Sequence, residues 1–259
     1  MFALFSGNDR PLVLGHRGAP QVAPENTMAG FEKAEREGAD GVELDVHRSA
    51  DGEFVVIHDP TLDRTTDAGG PVSSRTAAEL ARVDAGWGFA GRDGATPYRG
   101  KGVGVPLLDD VLDWARARAL VVDVEIKAAA DDPGLAADVA EHVATRGDAD
   151  RVFLSSFSLD QARGATSAVP GVAVALLSIG WDPLEALAAA VDAGCRGLHP
   201  DLVSLADAGA ERVVAAARAG GCWVAPWTVN DAAGVSRFAA AGVAAVITDD
   251  PAMARRALP

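Results

Sequence analysis

The 259 residues, with a net charge of −14 and 49% hydrophobic content, suffice for one large barrel or two small domains. That acidity argues against nonspecific binding to nucleic acid or to anionic membrane surfaces, although a local Arg, Lys and metal can reverse the field inside a pocket and admit an anionic substrate. Aromatics make up only 5%, so Ala, Val and Leu must fill the core.

Met1–Gly7 is a short apolar run without a basic flank or a small-residue cleavage site, and no stretch is long enough to span a bilayer. The expectation is a cytoplasmic protein without stable membrane insertion. Leu12–Gly15 reads as a first strand, with His16-Arg17-Gly18 at its C-terminal end. Pro24-Glu25-Asn26-Thr27 opens a helix, with Asn26 the expected N-cap and Gly38 its C-terminal glycine. Gly41–His47 alternates Val42, Leu44 and Val46 with Glu43, Asp45 and His47, a strand of period two. A short turn then leads to a strand at Phe54–Asp59 and predicts a hairpin.

From residue 60 to about 105 glycine and proline are frequent and periodicity is weak, with one short helix at Ser74–Val83. So long a stretch is not a simple loop; it reads as a cap inserted over one end of the main fold. Helices then alternate with strands. The helices are Leu107–Arg118, Pro133–Thr145, Leu159–Ser167, Pro183–Ala193, Ala206–Ala219, Asp231–Ala241 and one opened by Pro251. The strands are Leu120–Lys127, Arg151–Phe157, Val172–Ser178, Arg196–His199, Cys222–Val229 and Ala244–Thr248. Cys195 and Cys222 lack metal-type spacing and read as small buried hydrophobes. Eight strand–helix units favour a single (β/α)8 TIM barrel over residues 1–259, with a small insertion after the second barrel strand. A doubly wound sheet is the alternative, weakened because no Gly-rich phosphate loop follows the first strand.

The polar residues that break the strands gather near strand C-terminal ends, where such a barrel builds its active site. Glu43 and Asp45 share one face. Buried together they repel, and a hard divalent cation such as magnesium or calcium between them is the simplest remedy; a solvated edge strand is the competing reading. Glu125 and Lys127 also share a face, either within the site or as a structural ion pair. His16 and His58 end strands beside these acids and suit paired acid–base work. Arg17 offers a charged fork for phosphate. Trp227 either walls the pocket or fills the core; His199 either touches ligand or does not. His47 reads as structural and His142 as solvated. Asp249 and Asp250 read as helix-start residues, Glu25 and Asn26 as loop-fixing, and Arg64 with Asp59 as tying the insertion to the barrel.

His16-Arg17-Gly18, Pro24-Glu25-Asn26-Thr27, Glu43-Leu44-Asp45-Val46, the run from His58 to Thr66, Glu125-Ile126-Lys127, Trp227-Thr228-Val229-Asn230 and Thr248-Asp249-Asp250-Pro251 occur in that order. The set resembles the glycerophosphodiester phosphodiesterase family over about residues 12 to 256. The resemblance implies a metal-dependent (β/α)8 barrel that hydrolyses glycerophosphodiesters to glycerol 3-phosphate and an alcohol. It implies metal ligands Glu43, Asp45 and Glu125, an acid–base pair His16 and His58, and Arg17 and Lys127 on the phosphate. The attacking group is then the glycerol 2-hydroxyl, through a cyclic phosphate, or water directly. A lysophospholipase D and a catalytically silent phosphodiester-binding barrel are the alternatives. Few large apolar residues in the insertion point to a small soluble substrate.

Overall fold

The computed structural model describes residues 5, 9–127 and 132–259. Apart from Phe5, the apolar run Met1–Gly7 lies outside the described residues. Eight parallel strands follow one another round a ring: β1 (Leu12–His16), β2 (Gly41–Arg48), β4 (Val121–Ile126), β5 (Val152–Ser156), β6 (Ala173–Ser178), β7 (Gly197–Pro200), β8 (Trp223–Val224) and β9 (Ala245–Thr248). β3 (Phe54–Val56) lies outside the ring and pairs antiparallel with β2, as the short turn before it requires. β1 pairs with β9 as well as with β2. Backbone bonds from Ala244 N to Val224 O (2.9 Å) and from Ile247 N to Pro226 O (3.0 Å) join β9 to the β8 segment. The (β/α)8 barrel expected from the alternation is the fold.

The helices are α1 (Met28–Arg36), α2 (Ala77–Leu80), α3 (Leu108–Ala117), α4 (Leu135–Arg146), α5 (Leu159–Ala168), α6 (Pro183–Asp192), α7 (Leu202–Ala208), α8 (Ala210–Ala219), α9 (Ala232–Ala241) and α10 (Pro251–Ala257). Among the described residues, three apolar clusters hold the fold together. The largest joins outward strand residues such as Val42, Leu44, Val122 and Val124 to Phe31, Leu112, Val139 and Phe238 of the helices. A second fills the ring from Leu14, Phe153, Ala175, Trp223 and Ile247, and Phe5 meets Phe153 edge-on and lies tilted against Trp223 there. The third belongs to the insertion: Leu62, Val72, Leu80, Val83 and Val105 pack on Val55 and Ile57. The insertion therefore has its own small core.

Several sequence expectations shift in detail. Thr27, not Asn26, caps α1, accepting from the Gly30 amide; the Asn26 side chain is engaged elsewhere. The 206–219 helix is two helices, because Gly209 at φ +83° breaks it in a conformation that an L side chain rarely adopts. The strand expected at Cys222–Val229 is only Trp223–Val224, since Pro226 has no amide to continue a ladder. The strand from Phe54 ends at Val56. The Ser74–Val83 helix contracts to a 3-10 turn at Val72–Ser74 and the four residues of α2, which a Thr76–Glu79 capping box starts. Both cysteines are buried free thiols.

Candidate active site

Strand register creates the acidic centre. β2 and β4 pair with Glu43 beside Asp123 and Asp45 beside Glu125, while β1 sets His16 beside Glu43. Period two turns all four acids toward the barrel axis, and all four are buried. Each of Glu43, Asp45 and Glu125 presents an oxygen within 4.8 Å of the other two.

Two cations partly neutralise this cluster. Lys127 Nζ lies 2.8 Å from Asp45 Oδ1 and forms a close ion pair with Glu125. The Glu125–Lys127 pair weighed as a structural alternative is thus present, within a larger network. Arg17 Nε lies 3.3 Å from Asp45 Oδ2, and Arg17 Nη1 donates to Glu25 at 3.0 Å. Burial opposes ionisation of Asp45, but Lys127 and Arg17 outweigh it and hold that carboxyl below its usual range. Glu43 and Glu125 go the other way. Burial, reinforced by Asp45, pushes Glu43 well above the carboxylate range and Glu125 up to about 7. Glu43 Oε2 accepts the Arg17 amide at 2.9 Å. Glu43 Oε1 is buried and has no hydrogen-bond partner among the described residues. An all-oxygen set with one orphaned carboxylate oxygen fits a hard divalent cation.

The loop after β1 brings Arg17 and Asn26 in. Both have φ +53°, a conformation uncommon outside glycine. Gly18 makes the turn possible: at φ +94° it lies so near the Gly30 backbone that a Cβ would approach within 2.7 Å. Asn26 donates to Asp45 Oδ2 at 2.6 Å and accepts the Asp45 amide at 3.2 Å, locking that carboxylate in place.

Each histidine carries an aspartate on Nδ1. His16 Nδ1 lies 2.6 Å from Asp249 Oδ1, and His58 Nδ1 lies 2.6 Å from Asp59 Oδ1. Both aspartates sit below their usual range: Asp59 at about 2, chiefly through Arg64, and Asp249, against its burial, through His16 and Asn230. An ionised acceptor on Nδ1 fixes the donor there and leaves each Nε2 available. Burial lowers the His58 value, against Asp45 and Asp59. Arg64 binds Asp59 and, with both terminal nitrogens, Glu25, so it does tie the insertion to the barrel.

A cleft of about 240 Å³ opens here. Polar residues including His16, Arg17, Glu43, His58, Asp123, Glu125 and Lys127 line it together with the apolar Phe157, Leu177, Trp227 and Ile247. Trp227 walls the pocket, its indole nitrogen donating to the His199 carbonyl at 2.9 Å. Asp45 alone of the expected site residues lies beneath the lining, fully buried. His199 does not reach the cleft. It is fully buried, 3.3 Å from Asp123 by Nδ1 and accepting from Trp223 at Nε2. His47 donates to the His58 carbonyl at 3.0 Å, a structural role, and His142 is partly covered against Asp109 and Phe54.

Sequence reasoning missed Asp249 as the partner of His16, reading it as helix-start chemistry; Asp250 alone caps α10. Ring closure held the signal, because Thr248 of β9 registers with Gly15 of β1 and sets Asp249 next to His16. It also missed Asp123 as a cleft residue, which accepts from the Ser155 hydroxyl at 2.7 Å.

The model of the glycerophosphoryl diester phosphodiesterase family matches residues 16–253. A glycerophosphodiester phosphodiesterase of Caldanaerobacter subterraneus subsp. tengcongensis is 32% identical over 243 residues, 93% of this chain and 95% of that protein. One from Bacillus altitudinis is 34% identical over 247 residues, covering 92% and 94%. The crystal structure of the Agrobacterium tumefaciens glycerophosphodiester phosphodiesterase superposes with a TM-score of 0.78 at 30% identity, covering 95% of this chain and 99% of that one. An Oleispira antarctica phosphodiesterase in complex with its product sn-glycerol-3-phosphate gives a TM-score of 0.82 at 26% identity, covering 96% of each. Barrel, cleft and kinship agree: this chain belongs to the glycerophosphoryl diester phosphodiesterase family, a family of phosphoric diester hydrolases.

Proposed function

We propose that the protein hydrolyses glycerophosphodiesters to glycerol 3-phosphate and an alcohol, in the cytoplasm, with a divalent metal. The observation that carries this reading is the meeting of two aspartate-backed imidazoles with a buried carboxylate trio in one cleft. Glu43, Asp45 and Glu125 fit magnesium or calcium, which when bound would neutralise charge on the phosphate as it develops. Arg17 and Lys127, already paired with acids of the cluster, turn to the substrate phosphate and orient it. One imidazole Nε2 takes the proton of the attacking oxygen and the other protonates the departing alcohol. His58, whose lowered value keeps it neutral at pH 7, suits the accepting part. Trp227 and Phe157 add apolar wall to the same cleft. The insertion, anchored through Arg64 to Glu25, caps this end of the barrel.

The test is glycerol 3-phosphate release from glycerophosphocholine, followed through a coupled phosphatase, with and without chelator. Turnover that chelator abolishes and magnesium or calcium restores is expected. A chain that binds glycerophosphocholine without cleaving it under any divalent ion would be the silent barrel instead.

A further inference from the structure

Arg17 and His58 line the cleft, whereas Glu25, Asp59 and Arg64 stand outside its lining. Those three nevertheless join the two cleft residues to each other. Glu25 Oε1 accepts from Arg17 Nη1 at 3.0 Å, and Asp59 Oδ1 is the oxygen 2.6 Å from His58 Nδ1. Arg64 Nη2 donates to both of these oxygens, at 2.8 Å to Glu25 Oε1 and 3.2 Å to Asp59 Oδ1. Arg64 Nε donates to Asp59 Oδ2 at 2.6 Å, and Arg64 Nη1 to Glu25 Oε2 at 2.8 Å. One planar fork thus engages two carboxylates through both oxygens of each, and each carboxylate holds a different cleft residue.

A single exposed ion pair adds little to a fold, but two bidentate pairs on one guanidinium fix direction. The loop that Arg64 grips needs such holding, because Arg17 and Asn26, the residue after Glu25, both stand at φ +53°. Burial opposes ionisation of Glu25, but Arg64 and Arg17 outweigh it and keep the carboxylate charged for both forks. Arg64 itself sits on a firm base in the insertion. Leu62 is fully buried in the insertion's core, the Thr66 hydroxyl donates to the Leu62 carbonyl at 2.8 Å, and the Gly88 amide donates to the Thr65 carbonyl at 3.2 Å. Resting on the phosphodiesterase reading above, we infer that Arg64 is a positioning residue: through Glu25 and Asp59 it aims Arg17 at the substrate phosphate and His58 at the transferring proton as one unit. The insertion thereby governs the phosphate grip and the proton transfer together, without touching substrate through this residue.

The test compares Arg64→Ala and Arg64→Lys, alone and combined with Glu25→Gln and Asp59→Asn, in the presence of magnesium. Arg64→Ala should lower kcat/KM for glycerophosphocholine about a hundredfold, with kcat falling and KM rising. Arg64→Lys keeps the charge but not the fork and should resemble it. Free guanidinium at a non-denaturing concentration should restore the Ala variant, since the Arg64 side chain is half exposed, and an equal concentration of sodium chloride should not. Calorimetry with sn-glycerol 3-phosphate separates the two arms: affinity should fall in Arg64→Ala and Glu25→Gln but not in Asp59→Asn. On the Glu25→Gln/Asp59→Asn background, Arg64→Ala should cost almost nothing further. Unchanged kcat/KM in Arg64→Ala, or its full cost repeated on that background, overturns the proposal. So does complete recovery by Lys, which would make the role one of charge alone, and so does a loss that guanidinium leaves untouched while the melting temperature drops, which would make it structural. Should the Ala variant fail to fold, the Lys variant carries the same cycle and the same calorimetry. Absence of glycerophosphocholine turnover by the native protein would remove the hydrolase reading instead, while weakened glycerol 3-phosphate binding in the Arg64 variants would leave the coupling standing.

Discussion

The imidazoles of His16 and His58 are oriented by two aspartates that differ in how they are reached. Asp59 follows His58 directly, whereas Asp249 lies 233 residues from His16. Replacing either His by Ala should reduce turnover by about 10²- to 10⁴-fold while calorimetry finds metal affinity unchanged; near-normal turnover would remove that residue from the proposed pair. Asp59→Asn should lower kcat/KM about a hundredfold, at the lower end of that range. Because the Asp59 hydrogen bond raises the His58 value, its loss should also move the acidic limb of the pH profile to lower pH. An unmoved limb would show that His58 does not set it. The adjacent residues Asp249 and Asp250 provide an internal control. Asp249→Asn should depress turnover with little change in melting temperature, whereas Asp250→Ala removes a cap on the Met253 amide and should cost about 1 kcal/mol at unchanged kcat. The reverse pattern, read by calorimetry and kinetics, would interchange their roles.

Among the elements, local rules located nearly every strand and helix. Val, Ile and Leu runs bounded by glycine mark strands buried on both faces, and Asp182 and Asp231 cap α6 and α9 where those helices were expected to start, whereas the Asp201 cap that starts α7 four residues before the expected helix went unread. The pairing of Glu43 with Asp45 was legible because a period-two strand declares which residues share a face, whereas Glu125 joined them only through the family resemblance. What local rules could not show was lateral register. That Asp45 would lie beside Glu125 and Glu43 beside Asp123 depends on how β2 slides against β4, and the sequence of one strand carries no record of the other's offset. The Asn26 reading failed for a related reason: a good capping residue was drawn to a more demanding partner, the buried Asp45, leaving Thr27 to cap. Gly209→Ala tests the one helix break that the alternation hid. With φ +83°, alanine there should destabilise the protein by about 1–3 kcal/mol in urea titration; a neutral result would mean that α7 and α8 can merge without strain.

Considered whole, the molecule concentrates negative charge where it is least solvated. Glu43 is raised well above its ordinary range and Glu125 to about 7. Without metal, the folded state keeps protons on these groups that the unfolded chain releases near pH 4.5. Their contribution to stability is therefore present below that pH and is lost as pH rises toward 7. A divalent cation substitutes for those protons, so its stabilising effect should grow across the same interval. At about 100 times its dissociation constant it should add about 2.7 kcal/mol, and the rise in melting temperature on adding magnesium or calcium to chelated protein should be larger at pH 8 than at pH 5. Equal rises at both would show that the acids do not exchange protons for metal.

The contact of His16 with Asp249 joins the first strand of the ring to the residue after its last. A chain emerging from the ribosome has one imidazole in place almost at once, but the carboxylate that steadies it arrives only some twenty dozen residues later. Growing intermediates should therefore remain inert toward phosphodiesters however much of the cylinder has formed. The onset of turnover during synthesis would then report the moment at which the ring seals.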